Sequence, residues 1–494
     1  MNFIIGEDRN QMILLPDSID DYVDKNNAVR VIDAYINSFD LTTLGFSHPE
    51  PNDTGRPMYN PKDLLKLYVY GYMNRIRSSR LLERESKRNM EVIWLMRKLS
   101  PDHKTISRFR HDNAEALKSV FRDFVKLCMK LELYGKELVA IDGSKCKAVN
   151  SKDRNFTQNK LADRLARIEA KIQEYLDKLN EQDMQEDGAE TEHTPEEITA
   201  IIASLVERRS EYENYREDMK HAGETQKSLT DPDSRLMKYH GDTEVFYNVQ
   251  MAVDSKNKMV VDFDVINRAQ DKNQLGSMSE KAKAMLGVEK LIAVADAGYD
   301  SASDIANCIE NGITPHVAHI VGGDIQICME TNEPEIPTIV SHRNGRCVYI
   351  SRRNLAICPM GQILYPSYYK TGRGTAMFRN GKACSKCPCK CANVRYKNFE
   401  LWMKKTEFRK EYDDKNLRVK QITVSSDKGI LSQRKCIVEH PFGTIKRTMD
   451  AGYLLTKGKQ NVRGEFSLTF LAYNMKRAIN ILGTKRLIEA IGIC

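Results

Sequence analysis

Beyond Lys290 the chain reads Leu291-Ile-Ala-Val-Ala-Asp296-Ala-Gly-Tyr-Asp300. Five apolar residues in succession, closed by a carboxylate, predict a short strand buried on both faces, as in the middle of a mixed α/β sheet. An acid at the carboxyl end of such a strand stands where open sheets build their sites. Asp296 therefore has two readings: a site carboxylate, or a cap on the helix that follows.

A second run has the same form. Glu137-Leu-Val-Ala-Ile-Asp142-Gly143-Ser144 is again a buried strand that runs into an aspartate. Between the two, Glu244–Gln250 and Met259–Val265 flank Asp254-Ser-Lys-Asn-Lys258 as a β-hairpin, and Asp271 to Leu286 is helical. A helix from about Ser301 and a short strand at Thr314-Pro-His-Val-Ala-His follow the Asp296 strand. Strand, hairpin, helix, strand, helix, strand is the layout of a ribonuclease-H-like α/β fold, in which aspartates from neighbouring strands face each other.

Composition narrows the class. At 494 residues the chain exceeds one ordinary core, so two to four domains are expected. No apolar run reaches the length of a membrane span, and the N-terminus has no basic region followed by an apolar one, so a cytoplasmic protein that does not enter the membrane is expected. Twelve cysteines in such a chain do not make a disulfide framework. Charge is segregated: residues 56–130 hold 18 Lys and Arg against 8 acids, and 366–391 hold six Lys and Arg and no acid. Separated basic blocks suit a polyanion laid across several surfaces.

The first basic block is helical. Asn60-Pro61-Lys-Asp63 is a helix start, and Leu64, Leu65, Leu67, Tyr68 and Tyr72 give its apolar face. Helices are predicted from Ser78-Ser79-Arg80 and over Glu91–Leu99. After Ser100-Pro101-Asp102 comes His103-Lys104-Thr105-Ile106-Ser107-Arg108-Phe109-Arg110. With Lys104, Ser107, Arg108 and Arg110 projecting, this is what a helix-turn-helix needs to enter a groove and grip phosphates, Arg80 adding charge nearby. A plain helical bundle with a basic surface is the alternative.

Two stretches interrupt the α/β pattern. Leu161, Leu165, Ile168, Ile172, Leu176 and Leu179, then an acidic loop, a capping box at Thr194–Glu197 and a second seam from Ile198 to Met219, predict an antiparallel helical hairpin. Residues 181–218 carry 13 acids against 3 Arg, which argues against DNA contact there. Residues 320–430 are rich in Cys, Pro, Gly and basic residues and read as a long loop region with little core. Cys358, Cys384, Cys387 and Cys391, with Cys389 as a further thiol, offer a tetrahedral Zn²⁺ site or, on the other reading, a reduced cluster without metal. Trp402 reads as a core tryptophan sooner than as a base-stacking one.

Near the C-terminus, Ser432-Gln-Arg434-Lys435-Cys-Ile-Val438-Glu439-His-Pro-Phe442-Gly-Thr-Ile-Lys446-Arg447 places Lys435, Glu439, Phe442 and Lys446 on one helical face. Pro441 requires that helix to kink or to begin near it. An acid among basic residues suits a metal with phosphates beside it; surface ion pairing is the bland alternative. Phe466–Leu482 reads as an amphipathic core helix.

With Asp142, Asp296 and Glu439 in view, the chain resembles the DDE transposases of bacterial insertion sequences. The resemblance runs from Gly55-Arg-Pro and Pro101-Asp-His-Lys-Thr-Ile-Ser-Arg-Phe-Arg110 through Asp231-Pro-Asp-Ser-Arg235, Tyr247-Asn-Val-Gln250 and Ala295-Asp-Ala-Gly-Tyr299 to Val438-Glu-His-Pro-Phe-Gly443. It implies that Asp142, Asp296 and Glu439 are catalytic carboxylates holding two Mg²⁺ ions, with Mn²⁺ as a substitute. In a Tyr-Arg-Glu-Lys-type signature counted from Glu439, Lys446 matches, whereas Lys435 and Ser432 stand at the arginine and tyrosine positions. Arg434, Lys435, Lys446 and Arg447 join Arg80, Lys104, Ser107, Arg108 and Arg110 as expected DNA-binding residues. The implied function is a transposase that binds its element's terminal inverted repeats, then cuts and joins element ends and target DNA, as a dimer once synapsed. The alternatives are a non-catalytic DNA-binding derivative or a nuclease of the same fold. The expected division is 1–134 helical and DNA-binding; 135–155, 235–319 and 430–482 the core; 156–234 the hairpin; 320–429 the Cys-rich insertion; and 483–494 a tail.

Overall fold

The computed structural model describes residues 18–493 apart from 51–56, 184–193, 240, 319–324, 331–346, 351–352, 359, 388–397, 415–418 and 425–426. Gly55, the acidic loop, Cys389 and Cys391 lie outside the described residues.

The central sheet has six strands: β1 (Leu138–Lys147), β2 (Arg235–Tyr239), β3 (Asp242–Asp254), β4 (Val260–Ile266), β5 (Leu291–Ala295) and β6 (Ile313–Val317). The order is β2-β3-β1-β5-β6, with β4 also pairing β3. β3 is antiparallel to β1, β2 and β4, whereas β5 runs parallel to β1, and β6 to β5. β5 is central and buried, which is why its sequence is an unbroken apolar run rather than an alternation. β3 is longer than the hairpin arm expected from the sequence, because it spans the partners on both of its sides.

Helices α1 (Ala28–Asn37), α2 (Pro61–Met73), α3 (Ser79–Arg88), α4 (Met90–Leu95), α5 (His103–Asp112) and α6 (Ala114–Lys130) precede the sheet. The Asn60 side chain accepts from Lys62 N with Pro61 in the first turn, and Asp102 caps α5 through Lys104 N and Thr105 N. One continuous apolar cluster runs from Val23 in this region through the sheet to Ile491. Its seam is α6 against α12 (Lys459–Leu482), where a Cβ on Gly464 would lie 2.9 Å from the Ala114 Cα; glycine permits that close helix approach. Arg77, buried, ties the two parts further. It pairs with Glu465 at 2.6 Å and donates to the carbonyls of Asp450 and Tyr453.

Helices α7 (Gln158–Asp183) and α8 (Pro195–Ala222) pack on each other beside the sheet, and Thr194 and Glu197 form the capping box that starts α8. Phe156, Leu161 and Met219 form a buried cluster with Tyr212 and Tyr215 against it, and Leu165, Ile168 and Ile198 are buried along the pair. α9 (Leu275–Leu286) and α10 (Ala302–Glu310) connect β4 to β5 and β5 to β6.

Residues 347–403 correct the expectation of little core. Antiparallel strands at Val348–Ile350, Leu355–Ile357, Ile363–Lys370, Thr375–Arg379 and Phe399–Trp402 enclose a cluster of their own, including Tyr349, Leu364, Phe378, Phe399 and Leu401. Trp402 is not in it. It is 80% exposed, stands on the outer side of the edge strand and covers Gly374, so the core reading of this residue does not hold.

α11 (Lys428–Gly443) runs through Pro441 and continues as a single π turn, Thr444–Thr448. Pro441 removes one backbone donor, and a widened turn is a common way for a helix to absorb such a break. Residues Thr484–Ile493 form α13, which packs on α1 and α12. No helix among the described residues is long and apolar enough to cross a membrane.

Candidate active site

The parallel register of β1 and β5 pairs Leu138 with Ile292, Val139 with Ala293 and Ala140 with Val294. Continued by two residues, it brings Asp142 level with Asp296. Both strands end their apolar runs at the same edge of the sheet, so both carboxylates emerge together. Asp142 is 22% exposed, and one of its oxygens accepts from Gly143 N at 2.9 Å. Burial, with Asp296 and Asp271 nearby, pushes the Asp142 carboxyl up to about 6, against the pull of Arg434. Arg434, on α11, is its counter-charge, at 3.5 Å.

Asp296 is a cap, on the turn directly after β5. Its Oδ1 accepts from Gly298 N at 2.8 Å, capping the single turn Ala297–Tyr299, while the same carboxylate faces the Asp142 side. Tyr299 is buried beneath, its hydroxyl donating to Gln250 Oε1, and burial together with Asp271, Asp142 and Asp296 holds that hydroxyl un-ionised far above the ordinary tyrosine range.

Three residues of this edge escaped the sequence reading: Asp271, Asn248 and Gln250. Asn248 Nδ2 and Gln250 Nε2, on β3, donate to Asp271 Oδ1 at 2.8 and 2.6 Å. The available signal was a pair of amides at alternate positions of an otherwise apolar strand, since a buried amide needs partners. Gly143 is required here, as a Cβ on it would lie 2.5 Å from Asp271 Oδ1.

Glu439 lies exposed on α11, one residue past the fully buried Val438, so about 100° round the helix from it. Lys446 Nζ donates to the Tyr239 hydroxyl at 3.1 Å and reaches the Lys145 carbonyl at 3.4 Å, which sets it over the β1–β2 end of the sheet. Lys435 and Arg447 are exposed.

In the N-terminal helices, Arg80, Lys104, Ser107 and Arg108 are exposed. Arg110 is not; the expectation that it projects is corrected. It is 6% exposed, with Nη1 donating to the Tyr72 hydroxyl at 3.1 Å and the guanidinium over the Tyr68 ring. Ile106, Phe109 and Arg110 form the inward face of α5, and two α2 tyrosines supply the partners that let a guanidinium be buried.

In the Cys-rich region, Gln362 N approaches Cys358 Sγ at 3.3 Å in a tight turn, and Cys384 and Cys387 are close enough to act on the Cys358 thiol, which burial already pushes up. Among the described residues, no group of three His, Cys, Asp or Glu side chains is gathered closely enough to hold a metal ion.

Residues 17–112 match the family model "Transposase domain (DUF772)". Residues 216–475, more than half of the chain, match "Transposase DDE domain". The chain belongs to the DDE transposases. Asp296, Glu439, Asp271 and both β3 amides lie inside the second match; Asp142 precedes it. No curated protein matches the chain. Among solved structures, a piggyBac transposase synaptic complex with hairpin DNA aligns over 94% of this chain and 79% of that one, at 8% identity and a TM-score of 0.30. The enzyme is a transposase, and transposases of this class work with divalent metal ions.

Proposed function

We propose that this transposase binds the terminal inverted repeats of its own insertion sequence and catalyses Mg²⁺-dependent cleavage and strand transfer at a ribonuclease-H-like core. The observation that carries the reading is the pairing of Asp142 with Asp296 on adjacent parallel strands, with acid facing acid and Arg434 as the counter-charge. The strand order β4-β3-β1-β5-β6, first three antiparallel and last two parallel to β1, supports the core assignment.

The donor set is chemically that of a hard divalent cation, which would have to draw the carboxylates together, since among the described residues no three of them are gathered closely enough to hold one. The set consists of carboxylate oxygens, with the small residue Gly298 leaving space between Asp296 and Asp271 that a Cβ would fill, at 2.9 and 3.8 Å from their oxygens. Asp142 and Asp296 would hold Mg²⁺ or Mn²⁺, with Glu439 as the carboxylate from α11. When bound, two such ions supply an acidified attacking oxygen and a neutralised leaving oxygen for in-line phosphoryl transfer. Arg434 holds Asp142 as its counter-charge; with a cation bound there, its guanidinium would be free to face the DNA backbone. Lys446, held by Tyr239, and Lys435 and Arg447 beside it grip phosphates near the reacting bond. Arg80, Lys104, Ser107 and Arg108 contact the element ends.

The wider division follows the same reading. Residues 1–134 recognise DNA, residues 156–234 are an inserted helical hairpin for protein contact or spacing, and 320–429 are an inserted basic subdomain, with 135–155, 235–319 and 430–482 as the core. For the basic subdomain we propose a structural Zn²⁺ ion that would draw Cys358, Cys384 and Cys387, which lie near one another, together with Cys391 as fourth ligand. Synapsis of two ends makes a dimer on DNA. Purified protein incubated with Mg²⁺ and end-bearing DNA should give both cut and joined products. Cutting without joining would reduce the reading to a nuclease, and full activity in Asp142→Asn, Asp296→Asn and Glu439→Gln would end it.

A further inference from the structure

We infer that Asp271 supplies a further carboxylate to the cation site, entering from the α9 face of the sheet through the gap left by Gly143. This rests on the proposed Asp142–Asp296 cation site and adds a residue to it. Asp271 lies in the loop between β4 and α9, a segment whose role is otherwise only to connect a strand to a helix.

The geometry separates its two oxygens. Oδ1 is fixed by two side-chain amides of β3, Asn248 at 2.8 Å and Gln250 at 2.6 Å, and Gln250 is itself oriented by the Tyr299 hydroxyl. A carboxylate needed only to satisfy those amides could sit anywhere along β3. This one is turned so that Oδ2 points toward Asp296: a methyl group on Gly298 would be 2.9 Å from Asp296 Oδ1 and 3.8 Å from Asp271 Oδ2, so the two oxygens flank one small space. Among the described residues, Oδ2 accepts no hydrogen bond from the protein.

Glycine at 143 is what permits this approach. It stands directly opposite Gln250 in the β1–β3 register, where a side chain would occupy the space used by Asp271 Oδ1. The polar residues of β3 then have a purpose. Asn248 and Gln250 are positioning residues, buried at 1% and 0% exposure, that aim one acid across the strand end.

Asp271→Asn is the informative change, because an asparagine Oδ1 can still accept from both amides while the charge at Oδ2 is lost. Binding of Mn²⁺ to the DNA-free full chain is followed by electron paramagnetic resonance of the free ion, with circular dichroism as the folding control. The expected result is affinity weakened about tenfold or more in Asp271→Asn, as for removal of a supporting ligand, and also in Asp142→Asn. Gly298→Ala, which fills the space and crowds Asp296 Oδ1 while leaving both charges in place, is the second variant should Asp271→Asn fail to fold; it too should weaken Mn²⁺ binding. Wild-type affinity in Asp271→Asn and Gly298→Ala, with binding lost in Asp142→Asn, overturns the role of Asp271 and leaves the Asp142–Asp296 site standing. Wild-type affinity in Asp142→Asn as well removes the site itself, and the inference with it.

Discussion

Two carboxylates of this transposase, one buried and one half-buried, are treated in opposite ways. Glu465, 1% exposed, faces the Arg77 guanidinium at 2.6 Å and accepts from Leu455 N, Thr456 N and the Thr456 hydroxyl at 2.7–3.2 Å. Every lone pair facing the protein has a donor, and the pair fastens the N-terminal helices to α12. Asp142, by contrast, is set beside Asp296 and Asp271, receives one backbone N–H and has a single cation 3.5 Å away. The first arrangement stabilises the fold. The second is one that stability alone would not produce, and such unrelieved charge is characteristic of functional edges.

Breaking the satisfied pair should have the largest effect. Glu465→Ala leaves Arg77 buried without its anion and should cost about 3–5 kcal/mol, read from urea unfolding of the metal-free chain. Asp296→Asn should leave stability nearly intact but lower DNA cleavage about 100-fold or more, the scale of losing a main electrostatic group of a site, measured with Mg²⁺ on end-bearing DNA. A loss of stability on the scale of Glu465→Ala would erase the contrast between the two regions.

The contrast also predicts a pH dependence. The Asp142 carboxyl stands at about 6 in the folded chain against 3.8 for an ordinary aspartate. The folded state therefore binds that proton more tightly, so this group's contribution is fully present below about pH 4 and is lost as pH rises through about 6. Asp142→Asn avoids the loss. It should be more stable than the wild type at pH 7 by on the order of 2 kcal/mol, and the gap should close by pH 3.5 in the same titration. The smallest effect is expected at Trp402. Trp402→Ala should move stability by less than about 0.5 kcal/mol, as at exposed sites. If the ring stacks on a base, single-stranded DNA affinity should fall by about 1–3 kcal/mol, visible as fluorescence anisotropy.

What was legible in the sequence follows from which forces are local. β1 and β5 could be read because a strand buried on both faces must be apolar throughout, and Asp142 and Asp296 announce where each run meets polar surroundings. The α2 and α5 caps could be read because Asn60 and Asp102 bond to backbone within three residues. Asp271 could not: its partners are 21 and 23 residues away on another strand, and nothing beside it in sequence marks it. Arg110 was misread for the same reason, since the Tyr68 and Tyr72 rings that bury it belong to α2. Trp402 was assigned to a core by its residue type, but its strand is an edge, and edge position is a property of pairing rather than of composition.

The contrast comes down to Asp142 being held against its own preference for the sake of a cation. Thermal unfolding at pH 7 of wild type and Asp142→Asn, first in chelator and then with Mn²⁺, reads that directly. The variant should melt higher in chelator, and added Mn²⁺ should raise the wild type while leaving the variant unmoved. A variant that melts no higher in chelator, or that gains as much as the wild type from Mn²⁺, would contradict it.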